Sequence, residues 1–187
     1  MRLFVALEIP RAVRDNLATL IKDLRAADPK ARWVRPENIH VTLKFIGEVP
    51  PEKVAFIRGG LSGVDSERAV ELSFRGLGFF PHAKRPSLLW VGIDASPNLQ
   101  SLAGDIDGSL EKLGFPREHR PFVPHLTIAR FQPPRIQEQL QSAIAQSSER
   151  GFGSLRTREF HLIESKRKLS GAEYTTIESF RFAAAEA

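Results

Sequence analysis

The sequence predicts an α+β protein built from two similar lobes that share one central cleft. Three observations carry that prediction. A short motif occurs twice, His40-Val41-Thr42-Leu43 and His125-Leu126-Thr127-Ile128, each inside an apolar stretch that reads as a β-strand. The elements around the two motifs recur in one order: strand, proline, helix, histidine strand, double proline, helix, strand. Their landmarks repeat at a near-constant offset, 87 residues from Pro10 to Pro97, 85 from His40 to His125 and 83 from Pro51 to Pro134. Such an offset is the signature of an internal duplication. It implies one domain over residues 1–187, made of pseudo-twofold-related lobes at about 1–84 and 85–187.

Taken in order, Arg2–Ile9 is apolar and rich in strand formers. Pro10 opens a helix over Arg11–Ala26, in which Val13, Leu17, Leu20, Ile21 and Leu24 fall at helical spacing. A turn at Asp28-Pro29 and the short stretch Arg32-Trp33-Val34 lead to the first histidine strand, Ile39–Ile46, which Gly47 ends. Pro50-Pro51 introduces a helix over Glu52–Leu61, stopped by Gly59-Gly60 and Gly63. Ala69–Phe80 reads as a strand with a bulge or bend at Gly76 or Gly78. The second round has a strand over Ser87–Asp94, a helix from Pro97 to Leu113 and the second histidine strand, Phe122–Phe131. Pro133-Pro134 then introduces a helix over Arg135–Gln146, and Ser154–Glu164 reads as a strand. Tyr174–Phe182 gives a last strand with no equivalent in the first half and no assigned lobe.

The 187 residues, 42% hydrophobic and 26% charged, suffice for a substantial core and exclude wholesale disorder. The absence of cysteine excludes disulfides, thiolate nucleophiles and cysteine-based zinc sites, and fits a cytoplasmic protein. The apolar run before Pro10 is too short for a signal peptide, and no run approaches the roughly 20 residues of a membrane-spanning helix. A net charge of +5 and a pI near 9.9 favour a polyanionic partner, nucleic acid being the common one. An arginine-rich solvated surface would give the same balance.

Residues two apart in a strand share a face. His40 and Thr42 therefore project together, away from Val41 and Leu43, and His125 and Thr127 do the same. An imidazole beside a hydroxyl suits a polar cleft, and a duplication is a poor way to place two merely structural histidines beside two threonines. His82, His119 and His161 read as structural; His119 lies in an exposed turn, and the weak alternation around His161 leaves its orientation open. Lys44 has the parity of His40 and Thr42, so it either reaches the site or ends the strand in solvent. Trp33 and Trp90 read as core or lobe-packing residues. Lys84-Arg85 and Lys166-Arg167-Lys168 either track an RNA backbone or are ordinary charged loops. Two histidines with no acidic residue near either motif make a poor ligand set, so neither metal nor cofactor is expected.

With both motifs and their flanks in place, the chain resembles the 2H phosphoesterases. More narrowly it resembles the RNA 2′,3′-cyclic phosphodiesterases, historically called 2′-5′ RNA ligases. The stretches LFVALEIP, ENIHVTLKFIGEV, LLWVGI and PHLTIARF carry the likeness, with Glu164, Ser165, Leu169, Gly171 and Tyr174 at the end. The resemblance implies a bilobal fold of antiparallel sheets and helices around a central cleft. It implies metal-independent hydrolysis of RNA 2′,3′-cyclic phosphate ends to 2′-phosphates, with 2′-5′ ligation as the reverse of the same chemistry. His40 then falls on the general acid and His125 on the general base, while the symmetry of the motifs leaves the reverse assignment open. Thr42, Thr127 and Arg130 fall on the phosphate, and Phe45 on a nucleobase. Phe45 and Arg130 each lie five positions past their histidine, on the opposite face by strict alternation. Either a bulge re-aims them or they do not belong to the site.

The partner implied is an RNA with a 2′,3′-cyclic phosphate end, or a cyclic nucleotide, met by a monomer away from membranes. The rivals are a sister enzyme acting on 2′-5′ linkages or small cyclic nucleotides, and a non-catalytic RNA-binding module. A pure binder has no need of both histidines.

Overall fold

Prolines start the helical segments where the sequence places them. Pro10 and Pro97 are the N-caps of their helices and Pro51 opens a short 3₁₀ turn; a residue without an N–H and with φ fixed near −65° costs nothing in a first turn. The computed structural model describes residues 1–187 except 133, 134, 170 and 184–187. The Pro133-Pro134 pair expected before the last helix thus lies outside the described residues. The elements are β1 (Arg2–Glu8), α1 (Arg11–Ala27), β2 (Arg32–Trp33), β3 (His40–Glu48), α2 (Val54–Ser62), β4 (Val70–Phe80) and β5 (Leu88–Ala95). There follow α3 (Asn98–Glu111), β6 (His125–Arg130), α4 (Glu138–Gln146), β7 (Gly151–Thr157), β8 (Glu159–Lys168) and β9 (Gly171–Arg181). The stripe Val13, Leu17, Leu20, Ile21, Leu24 is the buried face of α1, as its spacing requires.

The strands form two antiparallel sheets, ordered β3-β1-β8-β9 and β2-β6-β5-β4-β7. This is the expected α+β architecture, but the sheets do not divide the chain at 84/85. β4, from the first half, pairs with β5, while β8, from the second, pairs with β1. The helices cross too: α1 packs on α4 and β7, and α3 packs on α2 and β3. Each half buries its apolar faces against elements of the other. One continuous core results, running from Leu3, Val5 and Leu7 through Leu17 and Leu20 to Leu126 and Ile128.

Three element readings change. The strand expected over Ser154–Glu164 is two strands, β7 and β8, broken at Arg158 and placed in different sheets. The last strand, β9, is the edge of the first sheet, in the position that β7 takes in the second. Gly59 and Gly60 do not stop α2, which runs on to Ser62 with Gly63 as C-cap. At Gly60 an added Cβ would meet Leu113 Cδ1 at 2.8 Å, and the Gly60 carbonyl accepts from Ser109 Oγ at 2.8 Å. That glycine serves the close approach of α2 to the segment of α3. The bulge in β4 falls at Gly76, where φ is +74° and the register skips from Arg75 to Leu77.

A short connection stitches the sheets together next to both histidine strands. Arg32 and Trp33 pair with Arg130 and Ala129 of β6, and the Val34 N–H donates to the Ile128 carbonyl at 2.9 Å. Six residues later the chain enters β3 in the other sheet, and β3 itself contacts β6.

Candidate active site

The two histidine strands share a local irregularity that decides what faces outward. In the β1–β3 ladder, Glu8, Leu7 and Ala6 pair with His40, Val41 and Thr42; Val5 then pairs with Lys44 and Phe4 with Phe45. Leu43 has dropped out of register, a β-bulge. In the β5–β6 ladder, Gly92, Val91 and Trp90 pair with His125, Leu126 and Thr127, Ile128 drops out, and Leu89 and Leu88 pair with Ala129 and Arg130. Each bulge turns two consecutive residues into the core, Leu43-Lys44 and Ile128-Ala129, and reverses the parity beyond them. Phe45 therefore emerges on the face of His40 and Thr42, and Arg130 on the face of His125 and Thr127. They occupy the same position of the duplicated motif. Phe45 is 64% exposed.

The same inversion removes Lys44 from the site. Its side chain is 7% exposed and its Nζ donates to Asp107 Oδ1 at 2.5 Å and to the Pro116 carbonyl at 2.7 Å. The Asp107 carboxylate also accepts the Glu118 N–H at 3.2 Å and faces the Arg117 guanidinium at 3.5 Å. Lys44 thus ties β3 to α3 and to the loop that leads into β6.

On the outward face of the first sheet, the His40 ring centroid lies 6.1 Å from that of Phe4 and 5.6 Å from that of Tyr174. Phe4 also meets Phe45 at 6.0 Å and Tyr174 at 5.0 Å. Phe4, Ala6 and Ile163 form a small apolar cluster apart from the main core, so the polar residues stand on a packed floor. Glu8 lies directly opposite His40, and His161 opposite Ala6. His161 therefore faces the site side of the sheet, buried, with its Nδ1 at 2.9 Å from Ser179 Oγ. Asn38 Nδ2 donates to the Ala172 carbonyl at 2.8 Å, joining the approach to His40 with β9.

The two histidines differ in surroundings. Burial pushes the pKa of His40 below the ordinary imidazole value; the Asn38 backbone and the Glu8 carboxylate oppose this, while Arg14 and His161 add to it. Its Nδ1 is buried without a hydrogen bond of normal geometry among the described residues. His125 is exposed, and its Nδ1 lies 2.8 Å from the Val123 carbonyl. A carbonyl only accepts, so Nδ1 carries the proton and Nε2 of the neutral ring is left as the basic nitrogen.

Trp90, read from sequence as a packing residue, stands on the outward face opposite Thr127. Its indole lies flat on Gly78, where an added Cβ would sit 2.1 Å from the ring. The alternation Leu88-Trp90-Gly92 held the signal, but only with the strand register known. Gly78→Ala is expected to displace the indole and cost about 1–3 kcal/mol, read as a shifted tryptophan emission and a lower Tm. Tyr174 is a second residue that sequence reasoning gave no role on this face. Lys166-Arg167-Lys168 form the end of strand β8 rather than a loop, and the run is partly neutralised: Lys166 pairs with Glu164 at 3.3 Å and Lys168 with Glu173 at 2.6 Å. His82 and His119 are exposed, and His82 Nδ1 accepts the Arg85 N–H at 3.3 Å. Among the described residues no group of three or more His, Asp or Glu is placed to hold a metal ion, and no helix is long and apolar enough to cross a membrane.

A family model described as the 2′-5′ RNA ligase superfamily matches residues 13–169 of the chain. A protein of Methanothermobacter thermautotrophicus named RNA 2′,3′-cyclic phosphodiesterase is 33% identical over 185 residues, covering 97% of this chain and 98% of that one. One of the same name from Archaeoglobus fulgidus is 34% identical over 180 residues, covering 96% and 99%. Among solved structures, TT0787 of Thermus thermophilus superposes with a TM-score of 0.78 at 27% identity, over 100% of both chains. E. coli LigT complexed with 3′-AMP superposes with a TM-score of 0.75 at 25% identity, over 97% of both.

Proposed function

The chain belongs to the 2′-5′ RNA ligase superfamily, and from that membership we propose that it hydrolyses RNA 2′,3′-cyclic phosphate ends to 2′-phosphomonoesters. The observation that carries the proposal is the pair of bulged His-x-Thr strands, each of which turns a histidine, a threonine and a third functional side chain to one face. The relatives named RNA 2′,3′-cyclic phosphodiesterase span nearly the whole chain and support this substrate class.

In this reading a water attacks phosphorus in line with the ribose 3′-oxygen. His125 Nε2 takes the water proton as the new P–O bond forms; its Nδ1, committed to the Val123 carbonyl, keeps the lone pair on the right nitrogen. The P–O3′ bond breaks and His40 gives its proton to the departing oxygen, so His125 ends the step with one proton more and His40 with one fewer. Thr42 and Thr127 donate to the non-bridging oxygens, where charge builds, and the Arg130 guanidinium faces the same oxygens. Phe45 offers its exposed ring to the terminal base. An RNA 5′-hydroxyl in place of water would give a 2′-5′ linkage through the same steps.

The test is a short RNA ending in a 2′,3′-cyclic phosphate, incubated with pure protein in excess chelator, with products resolved as 2′- or 3′-phosphate. Turnover to 2′-phosphate is expected. A 3′-phosphate product would reverse which ribose oxygen the acid serves. RNA bound without turnover would overturn the reading in favour of a binding module.

A further inference from the structure

The duplication is broken at one place that matters for the two histidines. The residue directly across the ladder from His40 is Glu8; the one across from His125 is Gly92. Such cross-strand neighbours hold their Cβ atoms about 4.5–5.5 Å apart. At Gly92 an added Cβ would meet the Arg75 carbonyl oxygen at 2.6 Å, so backbone packing keeps any side chain from that position. Glu8 is held in turn: Thr176 Oγ1 of β9 donates to its Oε1 at 3.1 Å. The first motif has a tethered carboxylate across the ladder from its histidine, and at that position the second has bare backbone.

We propose that, given the hydrolysis above, Glu8 is a positioning residue that keeps His40 in the proton-donating role and thereby divides labour between two otherwise equivalent motifs. The groups facing His40 come from four elements: Glu8 on β1, Arg14 on α1, His161 on β8 and the Tyr174 ring on β9. Burial, Arg14 and His161 all favour the neutral ring, whereas the Asn38 backbone and, after it, the Glu8 carboxylate favour the imidazolium. Glu8 is the carboxylate of the set. Without it, nothing charged among these groups would hold a proton on the group that must give one up. Across from His125 the same position holds the bare backbone of Gly92.

Removing the charge of Glu8 lets His40 lose its proton at lower pH. If His40 is the acid, the alkaline limb of the kcat profile moves to lower pH and neutral-pH turnover falls. If His40 is the base, the acidic limb moves instead and neutral-pH turnover does not fall.

The experiment compares wild type, Glu8→Gln, Glu8→Asp and Thr176→Val by kcat and KM against pH on the cyclic-phosphate RNA, alongside the NMR titration of the His40 imidazole. Glu8→Gln is expected to lower kcat at pH 7.5 by roughly 3- to 30-fold, the effect of a charge a few ångströms away near a protein surface. KM should change little, and the alkaline limb and the His40 titration should both move to lower pH. Glu8→Asp should recover most of the loss, and Thr176→Val should give a smaller shift of the same sign. An unmoved His40 titration in Glu8→Gln overturns the proposal, as does movement of the acidic limb alone. The titration needs no turnover: a wild type that hydrolyses nothing while His40 responds to Glu8 sinks the functional reading and leaves the coupling standing.

Discussion

Alanine at His40 or at His125 is expected to lower single-turnover hydrolysis of a 2′,3′-cyclic phosphate end by about 10²–10⁴-fold, the usual contribution of a positioned acid or base. The double substitution should cost little more than the worse single one, because acid and base act on one concerted proton inventory and such pairs are far from additive. His125 is exposed and fixed by one hydrogen bond to a carbonyl, so its loss should leave the fold intact. His40 packs against Phe4 and Tyr174, so His40→Gln is the better control for packing there. Binding of the RNA end should survive in each, since Thr42, Thr127 and Arg130 remain. Retention of a third or more of the turnover by either alanine variant would remove that histidine from the mechanism.

Lys44→Ala is expected to destabilise the protein by about 3–5 kcal/mol, the penalty for leaving one member of a buried ion pair without its partner. The Asp107 carboxylate, 13% exposed, would be left, among the described residues, with the peripheral Arg117 and the Glu118 N–H to face. The Pro116 carbonyl would lose its donor as well. Replacing both partners, Lys44→Met with Asp107→Leu, should recover most of the loss, because an apolar pair of similar volume is often as stable as the ion pair. Urea unfolding of the wild type and the two variants measures this. A Lys44→Ala midpoint close to wild type would mean that water reaches the carboxylate and that the pair is in effect a surface one.

Lys44 also marks where reading the sequence stopped short. The alternation rule places His40 and Thr42 on one face correctly, since nothing interrupts the ladder between them. Carried two residues further it fails, because the bulge at Leu43 adds a residue that parity cannot count. The sequence nonetheless held the answer: the duplicate of Lys44, 85 residues on, is Ala129, an apolar residue in a buried position. The same comparison aligns Phe45 with Arg130 and makes a shared bulge the consistent reading of both. The exchange of strands between sheets had no such signal. Periodicity tells a strand from a helix, but β1 pairs with β8 across more than half the chain, and no local pattern names a distant partner. The break between β7 and β8 was hidden because no glycine or proline marks Arg158. Glu8 was invisible as a neighbour of His40 until the register was known.

The exchange of elements between the sheets has a consequence for how the chain reaches its native state. The contact that completes the first sheet joins Arg2 to Ser165, and the one that completes the second joins first-half β4 to second-half β5 and β7. During synthesis β1 and β3 can form a hairpin-like pair early, but the free edge of β1 stays open until nearly the whole polypeptide has emerged. Closing so long a loop is entropically costly and slow. Completion of the first sheet, and with it the setting of His40 beside Tyr174 of β9, therefore waits on the last strands of the chain.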